Sequence, residues 1–227
     1  MPKMKEISGL LLINKPKGIS SYRVVEKIRE LTGIKKIGHA GTLDPLASGL
    51  LIILVGKRAT RKVNRLLKKP KEYLFTIWLG RESSTYDLEG EIKRISIKRY
   101  PSLKRIKEVL KDFKGKIKQT PPPFSAVKIR GRKAYELARK KISFSLKPRE
   151  IEIYFLRVVK YHPPYLFLQA KVSSGTYIRS LAYDLGKRLK TGGLVKNLRR
   201  IKIGDYSLKE ALSFSKLSSW HKFLKPL

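Results

Sequence analysis

The chain's 227 residues include 53 Lys and Arg against 17 Asp and Glu, a formal charge of +36, with 41% hydrophobic residues and no cysteine. That apolar content supplies a packed core, and so large a charge needs a polyanion to share the surface, of which nucleic acid is the natural one. The missing cysteines exclude disulfides, thiolate metal sites and a cysteine nucleophile, and His39, His162 and His221 are neither at ligand spacing nor beside a carboxylate cluster, so no zinc site is expected. No apolar run approaches the roughly 18 residues that a membrane helix needs. Met1 to Glu6 leads only into the short apolar run Leu10 to Ile13, without a small-residue cleavage site, so no secretory signal is read and the expected location is the cytoplasm.

Taken in order, Leu10 to Asn14 reads as a buried strand ending in the turn Lys15-Pro16-Lys17-Gly18. A helix follows, capped by Ser20 or Ser21, with Val24, Val25, Ile28 and Leu31 on one face and Gly33 at its end. The segment Ile34 to Pro45 is a polar, glycine-rich loop without a stripe, held against the continuous apolar strand Leu50 to Val55. Gly56 to Lys69 reads as one basic helix, Glu72 to Leu79 as an alternating strand, and Ser102 to Phe113 as an amphipathic helix capped by Ser102. Gln119 to Phe124 must be extended because of its three prolines. Ile151 to Tyr161 and Tyr165 to Val172 pair as strands, and Thr176 to Leu189 forms a helix. With no repeat and no linker, one mixed α+β domain is expected.

Asp44 stands in the run Gly38-His39-Ala40-Gly41-Thr42-Leu43-Asp44-Pro45, where glycines permit close approach and Pro45 biases Asp44 towards extended backbone. Local sequence alone favours a plain turn for this Asp, and the loop by itself does not identify an enzyme. Three further segments stand in order with it: Lys15-Pro16-Lys17-Gly18-Ile19-Ser20-Ser21, Lys71-Glu72-Tyr73 with Leu79-Gly80, and Ser174-Gly175-Thr176-Tyr177-Ile178-Arg179-Ser180-Leu181.

Together the four segments resemble the signatures of the bacterial tRNA pseudouridine-55 synthases, the TruB family, from about Gly9 to about Leu212. The resemblance implies the pseudouridine synthase catalytic fold, with a mixed, largely antiparallel central sheet flanked by helices and loops. It implies isomerisation of a T-loop uridine, extruded from the tRNA stack, without cofactor or metal. Asp44 would be the essential carboxylate, acting as a nucleophile at the ribose or as a base on a ribose proton. Arg179 would hold it ionised. Tyr73 would stack on the uracil, although its strand periodicity equally fits a core tyrosine. His39 would fill the space that extruded bases vacate, or else be an imidazole satisfied by backbone in a turn. Tyr177 and Leu198 match walls of the site and could also be plain core. Asp87 matches a polar position near it, with a solvated loop acid as the other reading.

Residues 121–141 combine three prolines with Lys128, Arg130, Arg132, Tyr135 and Arg139, a mixture suited to phosphate contact and stacking. In the family this is an RNA-gripping arm, with Lys128 and Arg132 as contacts. The alternative is a short basic helix, Lys133 to Lys141, packed through Ala134, Leu137 and Ala138. Residues 1–212 are expected to form the catalytic domain. Residues 213–227 are expected to be a short tail, too small for the separate C-terminal RNA-binding domain that many members carry. Dyskerin-type relatives share the Asp44 segment but are longer. The expected partner is the T stem-loop of tRNA, bound by a monomer. A non-catalytic tRNA- or rRNA-binding factor is the rival, yet such a protein has no evident use for an anion in its binding face.

Overall fold

The first strand, β1 (Gly9–Lys15), is apolar on both faces, and in the structure, a computed structural model describing residues 7–226, it lies buried as expected. Met1 to Glu6, part of the segment read for a secretory signal, and Leu227 lie outside the described residues. Helix α1 (Ser21–Thr32) begins where Ser20 Oγ accepts the Arg23 N–H and ends where the Gly33 N–H donates to the Arg29 carbonyl. Val24, Val25 and Ile28 are buried on its inner face, while Leu31 stays at the surface. The segment read as a loop contains a short strand, β2 (Ile37–His39), which pairs antiparallel with β3 (Ser48–Val55).

The single basic helix expected over Gly56 to Lys69 is two, α2 (Lys57–Thr60) and α3 (Val63–Leu67). Like charges one turn apart, Lys57 with Arg61 and Arg58 with Lys62, work against a continuous helix. Strand β4 (Lys71–Leu79) shows the expected alternation, with Tyr73, Phe75, Ile77 and Leu79 buried. After it come β5 (Arg81–Ser83), β6 (Ile92–Arg94) and helix α4 (Leu103–Lys111), which is capped by Ser102. Strand β7 (Gly115–Gln119) leads through the prolines to the hairpin β8 (Lys128–Ile129) and β9 (Arg132–Lys133), then to α5 (Ala134–Arg139). Strands β10 (Arg149–His162) and β11 (Tyr165–Val172) pair antiparallel as read from the sequence, and α6 (Ile178–Arg188) follows. The chain closes with β12 (Gly193–Ile203), β13 (Tyr206–Ser207), β14 (Leu212–Ser213) and 3-10 turns over Phe214–Phe223.

These elements form two compact units. The first holds the described residues up to Tyr73 and those from Arg199 onward; the second is Leu74–Leu198. In the first, the strand order is β14-β1-β3-β12, with β2 on β3 and β13 on β12. Strands β1 and β3 are antiparallel, whereas β14 on β1 and β12 on β3 are parallel. Its core joins Leu10, Leu12, Leu50, Ile52, Leu54 and Ile203, each side chain stabilising the fold by about 1.5–3 kcal/mol when fully buried. The end of the chain belongs to this unit: the Leu10 N–H donates to the Lys225 carbonyl at 2.8 Å and the Lys225 N–H returns to Leu10 at 2.9 Å. In the second unit the order is β12-β4-β11-β10-β7, with β10 antiparallel to both its neighbours. The fold class is therefore α+β with a mixed, largely antiparallel sheet. No helix among the described residues is long and apolar enough to cross a membrane.

Candidate active site

In the first unit the Asp44 loop leaves β2 at His39 and rejoins β3 at Ser48. Its backbone is tied down on both sides of Asp44. Ser21, at the start of α1, accepts the Leu43 N–H at 2.8 Å and donates its hydroxyl to the Leu43 carbonyl at 3.0 Å. On the other side the Ala47 N–H closes a turn onto the Asp44 carbonyl at 3.0 Å, and the Gly18 N–H reaches the Pro45 carbonyl at 2.8 Å. The Lys-Pro-Lys-Gly turn read from the sequence is thus a strut for the loop. Asp44 itself is half-exposed.

Beneath the loop lies Arg200, which sequence reasoning passed over. It is 1% exposed, and its guanidinium donates to the carbonyls of Leu50 at 2.8 Å, Gly41 at 2.9 Å and Thr42 at 3.3 Å. The parallel pairing of Arg200 with Gly49 brings it there, and a Cβ at Gly49 would collide with the Arg200 carbonyl oxygen. One rigid planar cation therefore fixes two successive peptides of the loop and the strand it joins.

The Arg200 charge reaches its neighbours. Lys71 is buried, with its ammonium donating to the carbonyls of Leu67 at 2.6 Å and Lys69 at 2.7 Å. Burial, aided by Arg200, pushes its pKa down to about 8. Burial first and Arg200 second also hold His39 below the ordinary histidine value, which keeps the imidazole neutral near pH 7. Its Nδ1 has no hydrogen-bond partner among the described residues, so backbone satisfaction in a turn does not describe it. Tyr73 is only 7% exposed and sits in line with Phe75 and Ile77, the core placement that periodicity allowed.

The second unit holds a different arrangement, centred on Asp87 and Arg179. Asp87 is 1% exposed, which excludes the solvated loop acid. Its Oδ1 accepts the Thr85 hydroxyl at 2.5 Å and the Glu89 N–H at 2.9 Å, and its Oδ2 lies 3.5 Å from Arg179 Nε. Arg179 also donates to the carbonyls of Thr85 and Phe124, both at 3.0 Å. The start of α6 is anchored nearby: the Gln119 amide accepts from the Tyr177 N–H at 2.8 Å and donates to its carbonyl at 3.1 Å, and Ser180 donates to Thr120 at 2.7 Å. Tyr177 is half-exposed, and Leu198 is buried on β12.

Lys128 and Arg132 stand exposed on the β8–β9 hairpin. The hairpin is seated by Val127, Ala134 and Leu137, all buried, and Lys133 and Arg139 flank the Tyr135 ring at 5.4 and 5.5 Å. The packed helix face proposed for this segment and an exposed basic tip therefore coexist. Of the residues singled out in the sequence, Asp44, His39 and Tyr73 belong to the first unit, and Arg179, Asp87, Tyr177, Leu198, Lys128 and Arg132 to the second.

A family model for the N-terminal domain of TruB family pseudouridylate synthases matches residues 29–178, and a second, for the C-terminal domain of tRNA pseudouridylate synthase B, matches residues 179–225. The chain belongs to the TruB family. It is 48% identical to the tRNA pseudouridine synthase B of Aquifex aeolicus, over 94% of this chain and 74% of that protein. With the enzyme of the same name from Protochlamydia amoebophila the identity is 45%, over 91% and 78%. Among solved structures, an H/ACA RNP bound to a substrate RNA containing 2′-deoxyuridine shares 26% identity at a TM-score of 0.70, covering 95% of this chain. The chain spans about half, 54%, of that protein's length. The Asp44 loop, with His39, and the Asp87–Arg179 pair are features of a TruB chain, and both fall on residues that the N-terminal family model matches, except Arg179, which opens the C-terminal match.

Proposed function

We propose that this chain isomerises uridine 55 in the T loop of tRNA to pseudouridine in the cytoplasm, with Asp44 as the essential carboxylate. The observation that carries the reading is a half-exposed carboxylate on a loop whose backbone is clamped by Ser21 and Arg200. Such a group is fixed in place yet reachable, which is what a reacting carboxylate needs.

Substrate and product are isomers. The bond from N1 to the ribose breaks, the uracil turns, carbon 5 bonds to the ribose, the proton leaves carbon 5, and N1 gains one. Atoms balance without an added redox or group-transfer partner. Asp44 serves as nucleophile at the ribose or as base on a ribose proton, and either role uses its ionised form. Arg179 takes the part of the cation that orients it, and Tyr73 that of the ring stacked on the uracil. Extruding the target costs a few kcal/mol, and the neutral imidazole of His39 fills the vacated space. Lys128 and Arg132, on the exposed hairpin, contact tRNA phosphate.

The test is to incubate an unmodified tRNA transcript with the protein in the presence of a chelator and map pseudouridine along it. The expected result is conversion at position 55 alone. A transcript that binds and stays unmodified would instead identify a non-catalytic RNA-binding protein.

A further inference from the structure

Within the second unit, a cavity of about 490 Å³ shares no residue with the Asp87–Arg179 cluster. Trp78, Arg81, Arg94, Ile97, Tyr100 and Tyr165 line it, and no Asp or Glu is among its lining residues. Gly80 shapes its floor, since a Cβ there would press on Ile97 at 3.2 Å and on the Tyr100 hydroxyl at 3.3 Å. The Trp78 and Tyr165 rings lie 6.0 Å apart at 48°, too tilted to stack on one another.

Three cations gather around these rings. Arg81 lies 5.1 Å from the Trp78 ring, and its guanidinium is steadied by the Gly80 carbonyl at 2.9 Å. Lys196 stands 3.8 Å from the Tyr165 centroid and 5.2 Å from that of Trp78. Arg94 is exposed at the rim. None of the three forms an ion pair among the described residues, although Asp and Glu make such pairs elsewhere in the unit. Ring faces offset part of this charge, and the remainder calls for an anion.

The chemistry selects the ligand. A free phosphate would use the cations and leave the rings idle, and an acidic peptide would do the same. An unpaired nucleotide uses both, its base on the aromatic surfaces and its phosphate on the cations. We propose that this pocket binds an unpaired nucleotide of an RNA strand, with the base against Trp78 and Tyr165 and the phosphate against Arg81, Arg94 and Lys196. It is a second RNA contact, separate from the residues assigned to chemistry, and it rests on the proposed function only for the source of the strand.

The chain has two tryptophans, so Trp220→Phe leaves Trp78 as the sole indole reporter. Titrating that protein with the single strand decauridylate should quench its emission saturably, because a base stacked on an indole quenches it. Adding Arg94→Glu, at an exposed position that preserves packing, should raise the midpoint by ~10-fold or more. The inference is overturned if no quenching occurs, if Arg94→Glu leaves the midpoint unchanged, or if a ten-residue polyglutamate binds as tightly as the RNA. Turnover of a T stem-loop by the Trp220→Phe protein separates the two readings. Turnover without quenching refutes the second site alone, and quenching without turnover refutes the proposed activity alone.

Discussion

At Asp44 the protein ties down the backbone on either side and keeps the residue half-exposed, whereas at Asp87 it ties down the carboxylate itself and buries it. The first carboxylate is positioned through its peptides, by Ser21 and by Arg200. The second is engaged by Thr85, Glu89 and Arg179. In a chain with 17 acidic residues, the proposed function makes this contrast one between a group placed to react and a group placed to hold another. It also gives the two buried arginines distinct duties. Arg200 shapes the loop that carries Asp44, while Arg179 is locked in place by Asp87 and two carbonyls.

The contrast breaks most readily at Asp87. Asp87→Asn keeps the shape but takes the Asp87 charge from beside a buried guanidinium, a loss of about 3 kcal/mol in unfolding free energy measured by urea denaturation. A loss below about 1 kcal/mol, the size of one ordinary hydrogen bond, together with abolished turnover would make Asp87 a reacting group and erase the distinction. Next in size is Arg200→Met, which frees the Gly41 and Thr42 carbonyls and lets the loop shift. Turnover should fall by ~100-fold with tRNA affinity little changed, since a displacement of about 1 Å costs that much. Arg200→Lys should recover part of it, having the charge without the fork. Unchanged turnover in Arg200→Met would remove Arg200 from the loop's support.

The smallest effect is a pH dependence. Lys71 has its folded pKa lowered to about 8 from an ordinary value of 10.5, so between those values the unfolded chain holds a proton that the folded one has shed. The stability of the wild type relative to Lys71→Met should therefore rise as pH climbs through that window and be level below about 8. A level difference throughout would mean that Arg200 and burial do not act on Lys71 as described.

Where physics is local, the sequence was legible. Ser20 and Ser102 cap their helices, Gly33 ends α1, and the alternation from Tyr73 to Leu79 puts the expected side chains inside. The four ordered segments led to the family, and the arm showed both its packed face and its basic tip. What escaped depends on distant partners. Arg200 looks in sequence like any other cation in a basic chain, and only the pairing of β12 with β3 buries it beneath a loop some 158 positions away. Asp87 reads as a polar position near the site or else a solvated loop acid, and its burial against Arg179 is what the sequence does not show, although Ser83, Thr85 and Asp87 at alternate positions carry a faint signal of a hydrogen-bonded turn. Strand β2 was missed because three residues, one of them glycine, give no periodicity to read.

The role proposed for Asp44 is to react, with no part in folding or in RNA binding. It is tested most directly by single-turnover pseudouridine formation with Asp44→Asn, alongside its tRNA affinity and its urea midpoint. Conversion should fall by ~10⁴-fold or more while affinity and midpoint stay near those of the wild type. Conversion within about tenfold of the wild type, a barrier change of only about 1.4 kcal/mol, would contradict that role.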